Sequence, residues 1–269
     1  MSKSRLIPQI NLDDFHTCEP CIKGKMTAKP FSKRWKSSDL LEIAHSDICS
    51  PLRTKTHRGM EYFVTFTNDY SRYGYIYLLK YKLEADEKFK EFKLKVENQL
   101  GRSIKSLNND RSGKYEAFDQ FCKEMRIRHI YTMPYKPQQI GIAERRNKTF
   151  MDMMRSMTAY ADFQIVFWGE TLSTAAYILN RVKTKSKPLT HFEIWTGHQP
   201  NMTNLKVWGC KAHVLIPKPL RNKLTDKTWE CKFIEYVENG SGYRFFLSDE
   251  GLIESRDVVF LRFSCIRLF

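Results

Sequence analysis

Two neighbouring stretches, EYFVTFTNDY (61–70) and YGYIYLLKY (73–81), are dense in Tyr, Phe, Val and Ile and read as strands. The SRYG between them reads as a tight turn, so the pair predicts a hairpin. LLEIAHSDI (40–48) predicts a strand ahead of it. Across 83–101 the apolar residues Phe89, Phe92, Val96 and Leu100 recur every three or four positions, an amphipathic helix closed by Gly101. SIKSLNND (103–110) reads as a fourth strand, AFDQFCKEMR (117–126) as a short helix and IRHIYTMP (127–134) as a fifth strand. Helical patterns then cover 142–160 and 167–181. A meander followed by strand–helix alternation predicts an α/β domain with a mixed sheet flanked by helices.

Residues 182–192, VKTKSKPLTHF, read as a basic linker containing a proline. Beyond them KVWGCKAHVLI, WECKFIEYVE, YRFFLSD and ESRDVVFLRF predict short strands, hence a small all-β module shaped as a barrel or curved sheet. The first ~35 residues are polar and Lys-rich with interspersed Pro, a loop-like composition. The chain thus divides into an N-terminal segment (1–35), an α/β core (36–181), a basic linker (182–205) and a β-rich module (206–269).

Composition adds a partner class. Lys and Arg number 45 against 30 Asp and Glu, a formal net charge of +15, while 42% of the 269 residues are hydrophobic. The chain can therefore bury a core, and its charge excess ranks a polyanion first among partners. A merely well-solvated basic protein fits the same balance. No apolar run approaches the ~18 residues of a membrane span, and the opening MSKSRLIPQINLDDF lacks a secretory apolar stretch. Seven cysteines, an odd and scattered set, suit free thiols in a reducing compartment, nucleus or cytoplasm.

Three acids fall where a sheet would present them. Asp47 lies in the first strand, Asp110 closes the fourth and Glu144 sits in the first turn of the long helix. Ala143, Asn147, Phe150, Met154 and Met157 share one face of that helix, and Glu144 points about 100° away from it. Converging carboxylates repel unless a divalent cation lies among them. Oxygen donors without paired His or Cys favour Mg²⁺ or Mn²⁺ over zinc, and a two-metal site would serve phosphodiester chemistry. Arg145, Arg146 and Lys148, directly after Glu144, would then meet backbone phosphates. Taken singly, Asp110 or Glu144 reads as a surface acid; only their joint placement favours the metal site. Tyr135 and Gln138, on the loop ahead of Glu144, read either as base contacts or as loop packing. His45, on the face of Asp47, reads as a partly buried strand histidine or as a proton relay. Trp168 and Trp208 read as core. Lys183, Lys185 and Lys187 read as a solvated face.

HSDICSPL around Asp47, NDYSRYGYIYLLK, LNNDRSGKY around Asp110 and PQQIGIAERRNKT around Glu144 resemble the integrase core of copia-type LTR retrotransposons. FWGETLSTAAYILNR and FEIWTGHQPNMTNLKVWGC extend the resemblance over nearly the whole chain. It implies a ribonuclease H-like fold, divalent metal on Asp47, Asp110 and Glu144, and trimming and strand transfer of DNA ends. It also implies double-stranded DNA as partner, a homo-oligomer when active, and a small barrel-like C-terminal module. The chain departs from the family pattern in four places. Ile140 stands where a capping Asn is usual, a change costing roughly 0.5–2 kcal/mol. Lys114 stands where an acid is common, NND replaces Arg-Ser-Asp, and the interval to Glu144 is shortened near 116–118. Cys18 and Cys21 resemble half of a His-His-Cys-Cys zinc module, but only His16 is available upstream, so they read as free thiols rather than Zn²⁺ ligands. Two alternatives follow: a catalytically silent remnant that binds nucleic acid nonspecifically, and a nuclease acting on hybrids.

Overall fold

The computed structural model describes residues 37–109, 116–131, 141–184, 187–237, 242–248 and 251–261. The described residues belong to one compact unit, Ser37–Phe269. Expectations for Cys18, Cys21, Asp110, Lys114, Tyr135, Gln138, Ile140 and Lys185 fall outside the described residues.

The predicted hairpin forms as β2 (Tyr62–Asn68) and β3 (Gly74–Leu79), preceded by β1 (Ile43–Cys49). The strand begins later than the apolar run suggests because Leu41 takes a positive φ of 60°. Next come α1 (Ala85–Leu100), β4 (Ser106–Asn109), α2 (Glu116–Glu124) and β5 (Arg128–Tyr131). Gly101, at a φ of 62°, closes α1 as the sequence predicts. The two long helical patterns become α3 (Gly141–Ala161) and α4 (Trp168–Arg181). The sheet order is β3-β2-β1-β4-β5, with β1, β2 and β3 antiparallel and β1, β4 and β5 parallel.

Strand alternation splits the core into two layers. Ala44, Val64, Phe66 and Leu107 point to one face, against Phe89, Phe92 and Val96 of α1 and Phe118 and Cys122 of α2. Phe63 points to the other face, against Phe150 and Met154 of α3 and Trp168 and Leu172 of α4. Trp168 is a core residue, as its context predicts. His45 and Asp47 share the second face with Phe63 and so look toward α3.

The expected linker region holds structure of its own. Helix α5 (His191–Thr196) starts at a capping box formed by Thr190 and Glu193. Its Trp195 is 2% exposed and belongs to the first core layer. The indole stacks on Tyr73, ring centroids 5.1 Å apart, and donates its N–H to Gln99 at 3.3 Å.

The C-terminal strands are β6 (Lys211–Leu215), β7 (Thr228–Tyr236), β8 (Tyr243–Leu247), β9 (Gly251–Ser255) and β10 (Val258–Phe260). They make one antiparallel sheet in the order β10-β6-β7-β8-β9. ESRDVVFLRF was expected as a single strand; the chain instead turns between β9 and β10, where the Asp257 N–H donates to the Ser255 hydroxyl at 3.1 Å. This sheet packs on α4: the Thr174 hydroxyl and the Trp208 indole N–H both donate to the Ile234 carbonyl, at 2.9 and 2.7 Å. Tyr177 and Tyr236 stack with centroids 3.8 Å apart. Gly209, at a φ of 76°, lies so close to Ala161 that a side chain there has no room.

Replacing Trp195 by Ala should cost about 3–5 kcal/mol in urea unfolding, as for other buried aromatics. A loss within the about 0.5 kcal/mol typical of surface changes would show the region before β6 to be a passive connection.

Candidate active site

The rim where β1 meets α3 is set by three polar side chains. Asp47 is half-buried on β1 and pairs across the strands with Thr65 of β2. Asn147, on the buried face of α3, donates its amide N–H to the Asp47 carboxylate at 2.9 Å. The Thr65 hydroxyl in turn donates to the Asn147 carbonyl oxygen at 3.0 Å. A buried amide leaves no polar group wasted here, and the helix is pinned across two strands. Glu144 lies three residues before Asn147, one turn nearer the helix start and about 60° around it. It is exposed in the first turn of α3. The fold thus places Asp47 and the turn carrying Glu144 beside one another. Asn147 and Thr65 were not singled out from the sequence. The available signal was an amide within the otherwise apolar stripe of the helix.

His45 is fully buried, and its Nε2 lies 3.0 Å from Asp69. It is part of the interior on the face of Asp47, resolving the two sequence readings in favour of the buried one. Burial by itself would raise the Asp69 carboxyl. Hydrogen bonds from His45 and from the Ser37 backbone N–H, with Arg72 nearby, outweigh it and hold Asp69 well below the usual carboxylate range. On the other side of Asp47, burial and then the Asp47 charge push the Cys49 thiol up to about 11. The shift favours the protonated thiol, and it marks where the Asp47 charge is felt.

Arg146 corrects an expectation. It was read with Arg145 and Lys148 as a phosphate contact, but it is only 6% exposed and faces inward. Its guanidinium donates to the Arg72 carbonyl and to the Asn180 side-chain oxygen, both at 2.7 Å. The Asn180 side chain also brackets Gly74 at the end of edge strand β3, accepting from its N–H at 3.1 Å and donating to its carbonyl at 2.8 Å. A Cβ on Gly74 would stand 2.5 Å from the Arg146 Nε, so a side chain there would displace the guanidinium from these bonds. Desolvation pushes Arg146 down to about 10. Burial, followed by the charge of Arg146, pushes His191 down to about 4. Arg145 and Lys148 are exposed. The rotation of 100° per residue separates neighbours that look alike in sequence.

Among the described residues no group of three or more His, Cys, Asp or Glu side chains is arranged to hold a metal ion; that set does not include Asp110. The donors that are described, Asp47 and Glu144, are hard oxygen ligands of the kind Mg²⁺ and Mn²⁺ take. The four described cysteines, Cys49, Cys122, Cys210 and Cys231, are free thiols. No helix among the described residues is long and apolar enough to cross a membrane.

Two predictions follow from these contacts. A carboxyl depressed in the folded state stabilises it above the unfolded value, and that gain disappears as pH falls. Asp69→Asn should therefore destabilise the chain most near neutral pH, with both proteins converging below about pH 4. A difference in urea midpoint that stays constant with pH would contradict the charged Asp69. Arg146→Ala should lower stability by at least the roughly 1–3 kcal/mol of an orphaned buried partner, whereas Arg145→Ala should change the urea midpoint little.

Comparisons with known proteins agree with this architecture. Residues 210–264 match the retroviral polymerase SH3-like domain. A retrovirus-related Pol polyprotein from transposon TNT 1-94 of Nicotiana tabacum is 37% identical over 97% of this chain and 20% of its own length. A similar polyprotein from transposon RE2 of Arabidopsis thaliana is 30% identical over 84% of this chain and 16% of its own. The chain therefore spans about a fifth or less of these relatives. In the cryo-electron microscopy structure of a simian T-cell lymphotropic virus intasome with the PP2A regulatory subunit B56 gamma, one chain shares the fold, with a TM-score of 0.54 at 18% identity. That match covers 89% of this chain and 84% of the other. A mixed sheet between helices, an SH3-like module and these relatives together place the chain among the retrovirus-related Pol polyproteins of copia-type transposons, as a segment that shares its fold with a chain of that intasome.

Proposed function

We propose that this segment is an integrase core that processes and joins DNA ends, with Asp47, Asp110 and Glu144 holding Mg²⁺ or Mn²⁺. The observation that carries the proposal is the hydrogen bond from Asn147 to Asp47. It ties the strand bearing one acid to the helix bearing another, across 100 positions of sequence. The third acid, Asp110, is assigned from its position in the sequence. Asp110 follows Asn109, the last residue of β4, which runs parallel beside β1 with Asn108 opposite His45.

A divalent ion bound there would polarise the scissile phosphodiester and activate the attacking oxygen. The protein's own part is positional. Asn147 and Thr65 orient the Asp47 carboxylate, and the inward anchoring of Arg146 fixes the rotation of the helix that presents Glu144. Arg145 and Lys148, exposed on that helix, would meet backbone phosphates, with Tyr135 and Gln138, earlier in the sequence, as base contacts. Double-stranded DNA is the substrate, and copies of the chain assemble on it. Lys114, four residues after Asp110, favours a second reading in which its ammonium occupies the place of a cation. In that case the chain is a silent copy that binds nucleic acid through charge alone.

Wild-type protein with element-end oligonucleotides should give strand-transfer products that require Mg²⁺ or Mn²⁺, and Asp47→Asn should reduce them to the no-protein level. Equal product from both proteins would refute the metal-site assignment. Salt titration of DNA binding separates the readings further. Arg145→Ala and Lys148→Ala should each lower the slope of log affinity against log salt by about 1. Binding that Mg²⁺ leaves unchanged, with no strand transfer, would identify the silent copy.

A further inference from the structure

Along the middle of α3 the second core layer reaches the surface. Leu52, Met151, Met154, Ile165 and Trp168 line a groove of about 450 Å³ there, within the range of specific ligand sites. Ile165 is 60% exposed beside it. The Trp168 indole N–H is already spent on the Thr54 carbonyl at 2.9 Å, inside the protein. What the groove offers a partner is mostly ring, thioether and aliphatic carbon, with Thr54 and Thr158 beside it and the charged side chains confined to its rim. Met151 and Met154 suit such a floor because an unbranched thioether repacks around different shapes.

The rim has the opposite character. Arg53 and Arg155 both border the groove and both are exposed. Among the described residues Arg155 pairs with Asp152 on its own helix, at 2.9 Å, where both side chains lie in water. Exposed pairs of this kind contribute little and exchange readily. The α3 residues bordering the groove run from Met151 to Ala159, about 12 Å or two helical turns.

We propose that this groove docks an acidic amphipathic helix of a partner protein. Its apolar residues, spaced i, i+3 or i+4 and i+7, enter the groove, while its carboxylates meet Arg53 and Arg155. Two observations favour that occupant. A second copy of this chain brings a net charge of +15 toward the same cationic rim, which opposes self-docking. The predominantly apolar floor suits a polyanion poorly. Met151 lies seven residues beyond Glu144, about 10 Å along the helix, so the docking site is separate from the metal rim and does not depend on its chemistry.

The test uses the full chain and a dye-labelled synthetic peptide of about four helical turns, with Leu at the helical spacing and Glu at the remaining positions. A second peptide replaces every Glu by Lys, and a third scrambles the Leu positions. Fluorescence anisotropy should show binding of the Glu peptide alone. The double variant Arg53→Glu with Arg155→Glu should weaken it roughly tenfold or more and gain affinity for the Lys peptide. Ile165→Asp, at an exposed position, should abolish binding without changing the urea midpoint. Equal binding of all three peptides, or indifference to the arginine reversals, would overturn the proposal. So would a wild-type dimer in sedimentation that Ile165→Asp converts to monomer, since a second copy would then cover the groove.

Discussion

The contact between Asn147 and Asp47 couples everything else in this protein. It joins the centre of the sheet to the long helix through one buried amide, and Thr65 completes the amide's second valence. A buried polar group without partners costs about 1–3 kcal/mol, so the helix has one favourable rotation over β1 and β2. Any acid displayed from its first turn inherits that rotation. Phe150 and Met154, one and two turns further along, enter the same apolar layer as Phe63 and Trp168 and hold the helix down where the polar contact orients it.

A second device acts from the side. The chain carries a large cationic excess that belongs in water, yet Arg146 is placed within the protein, against the ring of Phe150 and the bracketed edge of β3. Charge inside a low-dielectric region is retained only where its hydrogen bonds are met. Here the Arg72 carbonyl and the Asn180 side chain meet two of them, and the absence of a side chain at Gly74 makes the space. The same Asn180 amide meets the backbone N–H and carbonyl of Gly74 at the buried end of edge strand β3, groups that a sheet edge otherwise leaves unpaired. One buried cation therefore links α3, α4 and β3 into a single rigid frame.

The all-β module extends that frame. Ile234 of β7 receives hydrogen bonds from both Thr174 and Trp208, and the stacked pair of Tyr177 and Tyr236 lies across the same seam. Helix α4 thus serves both layers, covering the first sheet with Leu172 and Ala175 and the second with Thr174 and Tyr177. The region before β6 is anchored from the opposite side by Trp195.

The sequence alone determined the order and kind of most elements, because apolar spacing of two or of three to four records which face of a strand or helix is buried. It located Asp47 on a strand and Glu144 in the first turn of a helix by the same logic, and it marked Trp168 and Trp208 as interior. It could not distinguish Arg145 from Arg146, since adjacent cations differ only in the helix's rotation against a sheet far away in sequence. It missed the turn between β9 and β10, where Ser255 bonds locally in a stretch that reads as continuous strand, and it took the segment holding Trp195 for a linker because lysines surround it. Those outcomes rest on contacts between residues tens of positions apart, and only the assembled tertiary structure decides them, because burial and hydrogen-bond satisfaction are properties of the packed chain rather than of any local stretch.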